Sequence, residues 1–278
     1  MKWTVLGTSE NLERYVFLSN YLSDHGVAND FEVWQQQSVD FETFAELAEY
    51  DHVRLSGEWR LTIAKSIKLQ SSWTSLLGVA DGMIKSSKGW WPLCALYEAI
   101  GGLVVQIGSE LKTSHSVLVA GSDAVARTCV AGLFKAGFRS FIITSVNEPE
   151  AKGMIKELQA KFFGMTIKWV PKEKIVLLPG ESSVMVNCIS SKDTQTFLTD
   201  LCYLNFLKRP GILIDISMAQ ESNQLVAEAI ESGVHVYSGV ELASRVDVLW
   251  AEWAFKHKIN LPDYRAAMIE KLGLKLPG

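Results

Sequence analysis

From Val117 to Asn147 the chain alternates short apolar runs with amphipathic ones. Val117 to Ala120 is brief and rich in β-branched residues, so it reads as a buried strand that Gly121 ends in a tight turn. Val125, Ala126, Cys129, Val130 and Leu133 then recur at helical spacing between Asp123 and Lys135, and Ala136-Gly137 closes that helix. Phe141 to Thr144 is strand-like again. The segment is a β-α-β unit, the crossover a parallel sheet requires and the first half of a dinucleotide-binding fold.

The same pattern continues on both sides. Before it come a strand over Trp3 to Leu6, a helix over Glu13 to His25 with Val16, Phe17, Tyr21 and Leu22 on one face, and a strand over Phe31 to Trp34. A helix opened by Asp40 follows, running to Leu47, then a strand over Trp59 to Ile63. The chain forms a short strand around Gly78 to Ile84, turns through the polar hairpin loop Lys85 to Gly89, and enters an apolar helix over Pro92 to Val105 that bridges two domains. After the β-α-β unit, helices over Pro149 to Phe162 and Ser222 to Ser232 alternate with strands at Thr166 to Val170, Val184 to Cys188, Gly211 to Ile216 and Val234 to Tyr237. The alternation indicates α/β architecture with a parallel sheet. In the tail, Leu242, Val246, Leu249, Trp250 and Trp253 repeat at helical spacing, and Leu261-Pro262 leads into a final helix.

A length of 278 residues at 48% hydrophobic content is enough to bury two domain cores, and a net charge of -4 leaves no basic footprint for nucleic acid or an anionic membrane. The expected partners are therefore a small-molecule ligand or protein, with the chain as a monomer or homodimer in the cytoplasm. No apolar run reaches membrane-spanning length. Cys94, Cys129, Cys188 and Cys202 stand apart in apolar runs and read as reduced core residues. His115 and His235 lack partners at metal spacing, so no metal site is expected. Trp90-Trp91 reads as packing at a loop-to-helix junction, and Arg245 and Asp247 as solvated residues of the tail helix.

The turn after the first strand of the β-α-β unit carries the candidate nucleotide chemistry. A phosphate-cradling turn uses glycines so that backbone N–H groups approach the diphosphate at a helix N-terminus. Here Gly121-Ser122-Asp123-Ala124-Val125-Ala126-Arg127 keeps only the first glycine. Asp123 puts a carboxylate where a diphosphate would sit, and it also suits the helix N-cap, the role that ranks first on physical grounds.

The order of parts resembles the shikimate and quinate dehydrogenases over nearly the whole chain. Val117-Leu118-Val119-Ala120-Gly121 with Ala126-Arg127 is similar to that family's first strand and Gly-rich turn, and Val186-Asn187-Cys188-Ile189-Ser190-Ser191 to its V-N-A-T-S-x-G strand end. Asp215, Leu225, Ala229 and Gly233 fall along its D-x-x-Y-x-P-x-x-T-x-L stretch and the helix after it. Gly239-Val240-Glu241-Leu242 resembles its late G-x-x-M-L helix, and Gly57, Leu61, Thr62 and Ile63 its G-x-N-V-T-x-P-x-K segment. The resemblance implies an N-terminal α/β substrate-type domain over 1–100, a Rossmann-like doubly wound domain over 101–238, and C-terminal helices over 239–278 returning to the first domain. It also implies a small-molecule ligand in the interdomain cleft and hydride transfer with NADP or NAD.

In that family a lysine and an aspartate at the substrate handle the proton. Along the resemblance the lysine falls on Ser66, with Lys65 and Lys68 on either side, and the aspartate falls near Tyr97. The substrate asparagine falls on Asp81, the paired serines near Glu13 and Tyr15, the tyrosine after the late strand on Met218 and the late glutamine near Val246. The Asn-Arg-Thr that grips the 2'-phosphate appears as Ser145-Val146-Asn147. Candidate catalytic residues are therefore Lys65 (or Lys68), Asp81 and Tyr97. Candidate cofactor contacts are Gly121, Ser122, Asp123, Ala124, Arg127, Ser145, Asn147, Asn187 and Ser190. With so many positions replaced, shikimate reduction is expected to be absent or weak. The two readings are a re-specialised NAD(P)-dependent oxidoreductase and a non-catalytic ligand- or protein-binding member on the dehydrogenase scaffold, and the cofactor expected is NADP, NAD or none.

Overall fold

The computed structural model describes residues 1–7, 12–34, 46–67, 71–189, 199, 201–218 and 224–276. The expected Asp40 to Leu47 helix lies mostly outside the described residues; Leu47–Glu49 is a single 3-10 turn. The chain divides into two compact units, one of Met1–Glu98 with Ser244–Leu272 and one of Ala99–Ala243 with Gly273–Gly278.

In the first unit, β1 (Lys2–Leu6), β2 (Asp30–Val33), β3 (His52–Leu55), β4 (Gly82–Ser86) and β5 (Gly89–Leu93) form a sheet in the order β2-β1-β3-β4-β5. β1 pairs in parallel with β2 and β3, while β3/β4 and β4/β5 are antiparallel. Because strand side chains alternate between faces, Leu6, Val53, Leu55 and Met83 share one face and bury Trp59 and Ile63 against it. The other face carries Trp3 and Arg54, and on it Trp3 meets Trp250 at 4.8 Å between ring centroids. The helix α1 (Leu12–Asp24) buries Tyr15, Leu18 and Leu22, one stripe at helical spacing, and ends before Gly26, whose φ of 80° suits a helix stop.

Two expectations in this unit are corrected. Trp59 to Ile63 is not a strand: Trp59–Ser66 is helix α2, and the strand is β3, four residues earlier. Trp59, Ile63, Ala64 and Ile67 are buried at helical intervals, a period that five residues alone were too few to reveal. Thr62 and Ser66 donate their hydroxyls to the carbonyls of Glu58 and Thr62, which fits them to a helix. The bridging helix likewise starts later than Pro92. Trp90, Trp91 and Pro92 belong to edge strand β5, where the missing proline N–H costs no ladder bond, and α4 is Ala95–Ile107. Trp91 is exposed there rather than packed at a helix start. Between them α3 (Ser72–Leu77) is capped by Ser71 and closed by Gly78.

The second unit is a six-stranded sheet built from β6 (Ser116–Ala120), β7 (Ser140–Thr144), β8 (Thr166–Trp169), β9 (Ser182–Asn187), β10 (Leu207–Asp215) and β11 (His235–Tyr237). All its pairings are parallel and the order is β11-β10-β9-β6-β7-β8. Numbered from β6, this is the 3-2-1-4-5-6 order of the doubly wound dinucleotide-binding sheet. β6 and β9 are buried almost throughout, as a sheet covered on both faces requires. Its helices are α5 (Ala124–Lys135), α6 (Glu148–Lys161) and α7 (Gln224–Glu231). The tail helices are α8 (Gly239–Phe255) and α9 (Leu261–Leu272), and α9 packs on α1 within the first unit.

Candidate functional site

In an open parallel sheet a ligand binds outside the carboxyl ends of the strands where the strand order reverses. In the second unit that point lies between β6 and β9, at Ala120 and Asn187, which pair directly. Gly121 leaves β6 with φ 129°, a conformation only glycine takes without strain, and a Cβ there would sit 3.0 Å from the Cβ of Cys188. The glycine is thus fixed by backbone shape and by the close approach of the chain after β9.

Asp123 is the N-cap of α5, its Oδ1 accepting the N–H of Ala126 at 2.9 Å. One of the N–H groups that an anion would use at this helix start is therefore already taken by a carboxylate. Ser122 is buried, hydrogen-bonded to Ser145 Oγ at 2.9 Å, and donates to Glu150 Oε2 at 3.0 Å. Asn147 caps α6 through Oδ1 to the Glu150 N–H, and its own N–H donates to Ser145 Oγ. Ser122, Ser145, Asn147 and Glu150 thus form one linked cluster between the first two strand ends, with one carboxylate and no cation among them. Arg127 is turned to Glu157, with Nη1 2.6 Å from Oε2. Ala124 is the buried first residue of α5.

Across the switch point Asn187 donates to Asp215 Oδ1 at 2.8 Å and accepts from the Ile189 N–H. Ser217 donates to the other oxygen of Asp215 at 2.6 Å. These bonds lock the ends of β9 and β10 together. Burial and a hydrogen bond with Cys129 push the Cys188 thiol well above its usual range, so it is no thiolate nucleophile. Ser190 lies outside the described residues.

The catalytic candidates of the first unit are not joined. Lys65 is exposed in the last turn of α2, and Lys68 lies outside the described residues. Asp81 is buried, and both its oxygens accept backbone N–H groups, Oδ1 from Ala95 at 2.8 Å and Oδ2 from Leu96 at 2.7 Å. It acts as the anionic cap of α4, where two N–H groups and the helix dipole favour a carboxylate. No hydrogen bond or ion pair links Lys65 to Asp81 among the described residues. Tyr97 lies in α4 with its ring 4.9 Å from that of Trp73, and burial, with Glu98 and Cys94 adding, pushes its phenol up to about 12.

The charged centre of this unit lies elsewhere. Asp247, expected to be solvated, is fully buried and accepts from Arg14 Nε and Nη2, each at 2.8 Å, and from the Tyr264 hydroxyl at 3.0 Å. A sequence pattern could have flagged it, since Val246 and Trp250 bracket Asp247 on the apolar stripe of α8.

No family model matches the chain, and no curated protein does. Solved structures do. The chain is similar to the quinate dehydrogenase of Corynebacterium glutamicum in complex with NAD, with a TM-score of 0.81 at 13% identity over 97% of this chain and 99% of that one. The shikimate 5-dehydrogenase of Listeria monocytogenes in complex with shikimate and NAD gives 0.80 at 11% identity, covering 96% and 95%. The Thermus thermophilus enzyme in complex with NADP(H) and shikimate gives 0.77 at 15%, covering 98% and 99%. Among the described residues no helix is long and apolar enough to cross a membrane. The chain has the two-domain α/β fold of the shikimate and quinate dehydrogenases.

Proposed function

We propose that this chain is an NAD-binding, shikimate dehydrogenase-like oxidoreductase whose ability to reduce shikimate itself is absent or weak. The observation that carries the cofactor reading is the cluster at the ends of β6 and β7. The Glu150 carboxylate reaches Ser122 beside Ser145, and a carboxylate at this end of the second strand accepts from ribose hydroxyls while repelling a 2'-phosphate. NAD is therefore favoured over NADP. Calorimetric titration of each reduced cofactor tests it: NADH is expected to bind at least about tenfold tighter than NADPH, a difference of about 1.4 kcal/mol. Equal affinities, or tighter NADPH binding, would overturn the preference.

Loss of the shikimate reaction is supported by the first unit. The position that the resemblance gives to the lysine is Ser66, which ends helix α2 with its hydroxyl donated to the Thr62 carbonyl, and the neighbouring Lys65 is exposed. The expected assay result is no shikimate-dependent reduction of NAD or NADP above the rate without protein. The protein is read as cytoplasmic, a monomer or homodimer, acting on a small molecule.

One observation favours the non-catalytic alternative, the Asp123 carboxylate at the start of α5. If neither cofactor binds at millimolar concentration, the oxidoreductase reading fails and a binding protein on this scaffold is what remains.

A further inference from the structure

Cys129 and Cys188 are free thiols that the fold of the second unit brings together from different elements. Cys129 lies on the buried stripe of α5, one turn before Leu133. Val186 of β9 lines a small apolar cavity with these two residues, so α5 covers the sheet face to which Val186 points. The ladder runs on past β9, since the Cys188 N–H donates to the Ala120 carbonyl at 2.8 Å. Side chains two apart on a strand share a face, which puts Cys188 beside Val186 and under α5. The turn at Gly121 borders it closely, with a Cβ position there 3.0 Å from the Cβ of Cys188. The two thiols are hydrogen-bonded to each other.

Packing alone would account for two small apolar side chains in contact. Their exposure, however, is unequal: Cys129 is 2% exposed, whereas Cys188 is partly exposed. One thiol is thus open to a small oxidant while its partner is held beside it in the interior. A disulfide needs Cβ atoms about 4 Å apart, a spacing that hydrogen-bonded thiols approach before any bond is made. Cys202 is also partly exposed, but it precedes β10 and so lies toward the amino end of the parallel sheet, the end opposite Cys188.

We propose that Cys129 and Cys188 form an oxidation site, at which hydrogen peroxide converts the pair into a disulfide joining α5 to the chain after β9. The Cys188 sulfur attacks one peroxide oxygen, the O–O bond breaks, and the thiol proton leaves with the other oxygen as water. Cys129 then attacks the resulting sulfenic sulfur, and a second water departs with the remaining proton and oxygen. Both thiols are oxidised, by two electrons in all, and one peroxide is reduced to two waters. Burial first, then Cys129 of α5, Asp123 at the α5 cap and Asp215 at the end of β10, keep Cys188 protonated at neutral pH. The first step is therefore slow there and quickens as pH rises.

Peptide mapping of the full chain tests this. Reduced protein freed of reductant is treated with hydrogen peroxide at about pH 9, where more thiolate is present, then quenched with catalase, denatured and alkylated. Alkylatable thiols should fall from the four of the sequence to two, with the intact mass lower by two hydrogen atoms. A Cys129–Cys188 peptide pair that dithiothreitol separates should account for the loss. Cys129→Ser removes the second thiol and should leave Cys188 as a sulfenic acid that dimedone labels, while Cys202→Ser should leave the bridge unchanged. Should a variant not fold, the wild-type map decides alone. The proposal is overturned if all four thiols survive peroxide that oxidises free cysteine under the same conditions. It is equally overturned if Cys188 passes to the sulfinic acid without bridging, or if the disulfide found joins other residues or two chains.

Discussion

Asp123 and Asp247 show two ways for a carboxylate to be held. Asp123 sits at the exposed start of α5 and accepts an N–H three residues along the chain. Asp247 lies in the interior and is gripped by Arg14, 233 residues away in sequence. The first bond follows from local chain geometry, since a residue before a helix meets the N–H groups of its first turn. The second exists only because the sheet, α1, α8 and α9 assemble around it. Carboxylates that look equally polar in a sequence thus serve a local cap in one unit and a long-range centre in the other.

The sharpest way to break that contrast is Asp247→Asn. Removing the charge takes away the buried carboxylate that both Arg14 and Arg54 approach, and a broken buried pair costs roughly 3–5 kcal/mol. Urea unfolding should show this as a large fall in midpoint or as failure to fold. A loss below about 1 kcal/mol would mean that water reaches both arginines.

Gly121→Ala comes next. It places a side chain at φ 129° and a Cβ 3.0 Å from that of Cys188, a combination expected to cost roughly 1–3 kcal/mol. The same change narrows the turn at the switch point, so NADH binding should weaken along with stability. Unaltered NADH affinity would place the cofactor away from this turn.

What was legible in the sequence divides along the same line. The doubly wound sheet could be read because each strand and helix of the second unit declares itself within ten or so residues: the Val117 to Ala120 run, the Gly121 turn and the Val125 to Leu133 stripe are local signals. The Asp123 cap could be read for the same reason. Trp59 to Ile63 could not, because five residues, four of them apolar or β-branched, fit a strand and a helix turn equally well. Only the placement of Ile63, Ala64 and Ile67 against β3 and β4 decides between them. The Arg14–Asp247 pair was invisible for a different reason: no periodicity says which distant residue a buried charge will meet.

His52 provides a gentler probe of the first unit's interior. Burial is the main reason its imidazole is held down at about 4, against the ordinary 6.5, with nearby Asp51 opposing the shift. A depressed folded pKa means that between those values the unfolded chain binds the proton and the folded chain does not. Stability is then fully present above pH 6.5 and falls as pH drops toward 4. The ring packs 5.3 Å from that of Phe255, so His52→Phe should remove that acid-side slope while keeping an aromatic group in place. Unfolding midpoints measured across this window, for wild type and variant, would differ only at the acid end.

The smallest change in stability comes from Asp123, and it carries the most information about the second unit. Asp123→Ala loses the cap of α5 at a cost of about 1 kcal/mol, whereas Asp123→Asn keeps a good capping acceptor and costs little. Both remove the negative charge facing a bound diphosphate. If that charge is what weakens binding, both variants should gain NADH affinity, by an amount that shrinks as salt screens the repulsion. If only Asp123→Ala gains, the capping side chain obstructs the diphosphate by its bulk rather than its charge. If neither gains, the carboxylate stays folded over its own helix N–H and the diphosphate lies beyond it, which would leave Gly121 as the part of the turn that matters for binding.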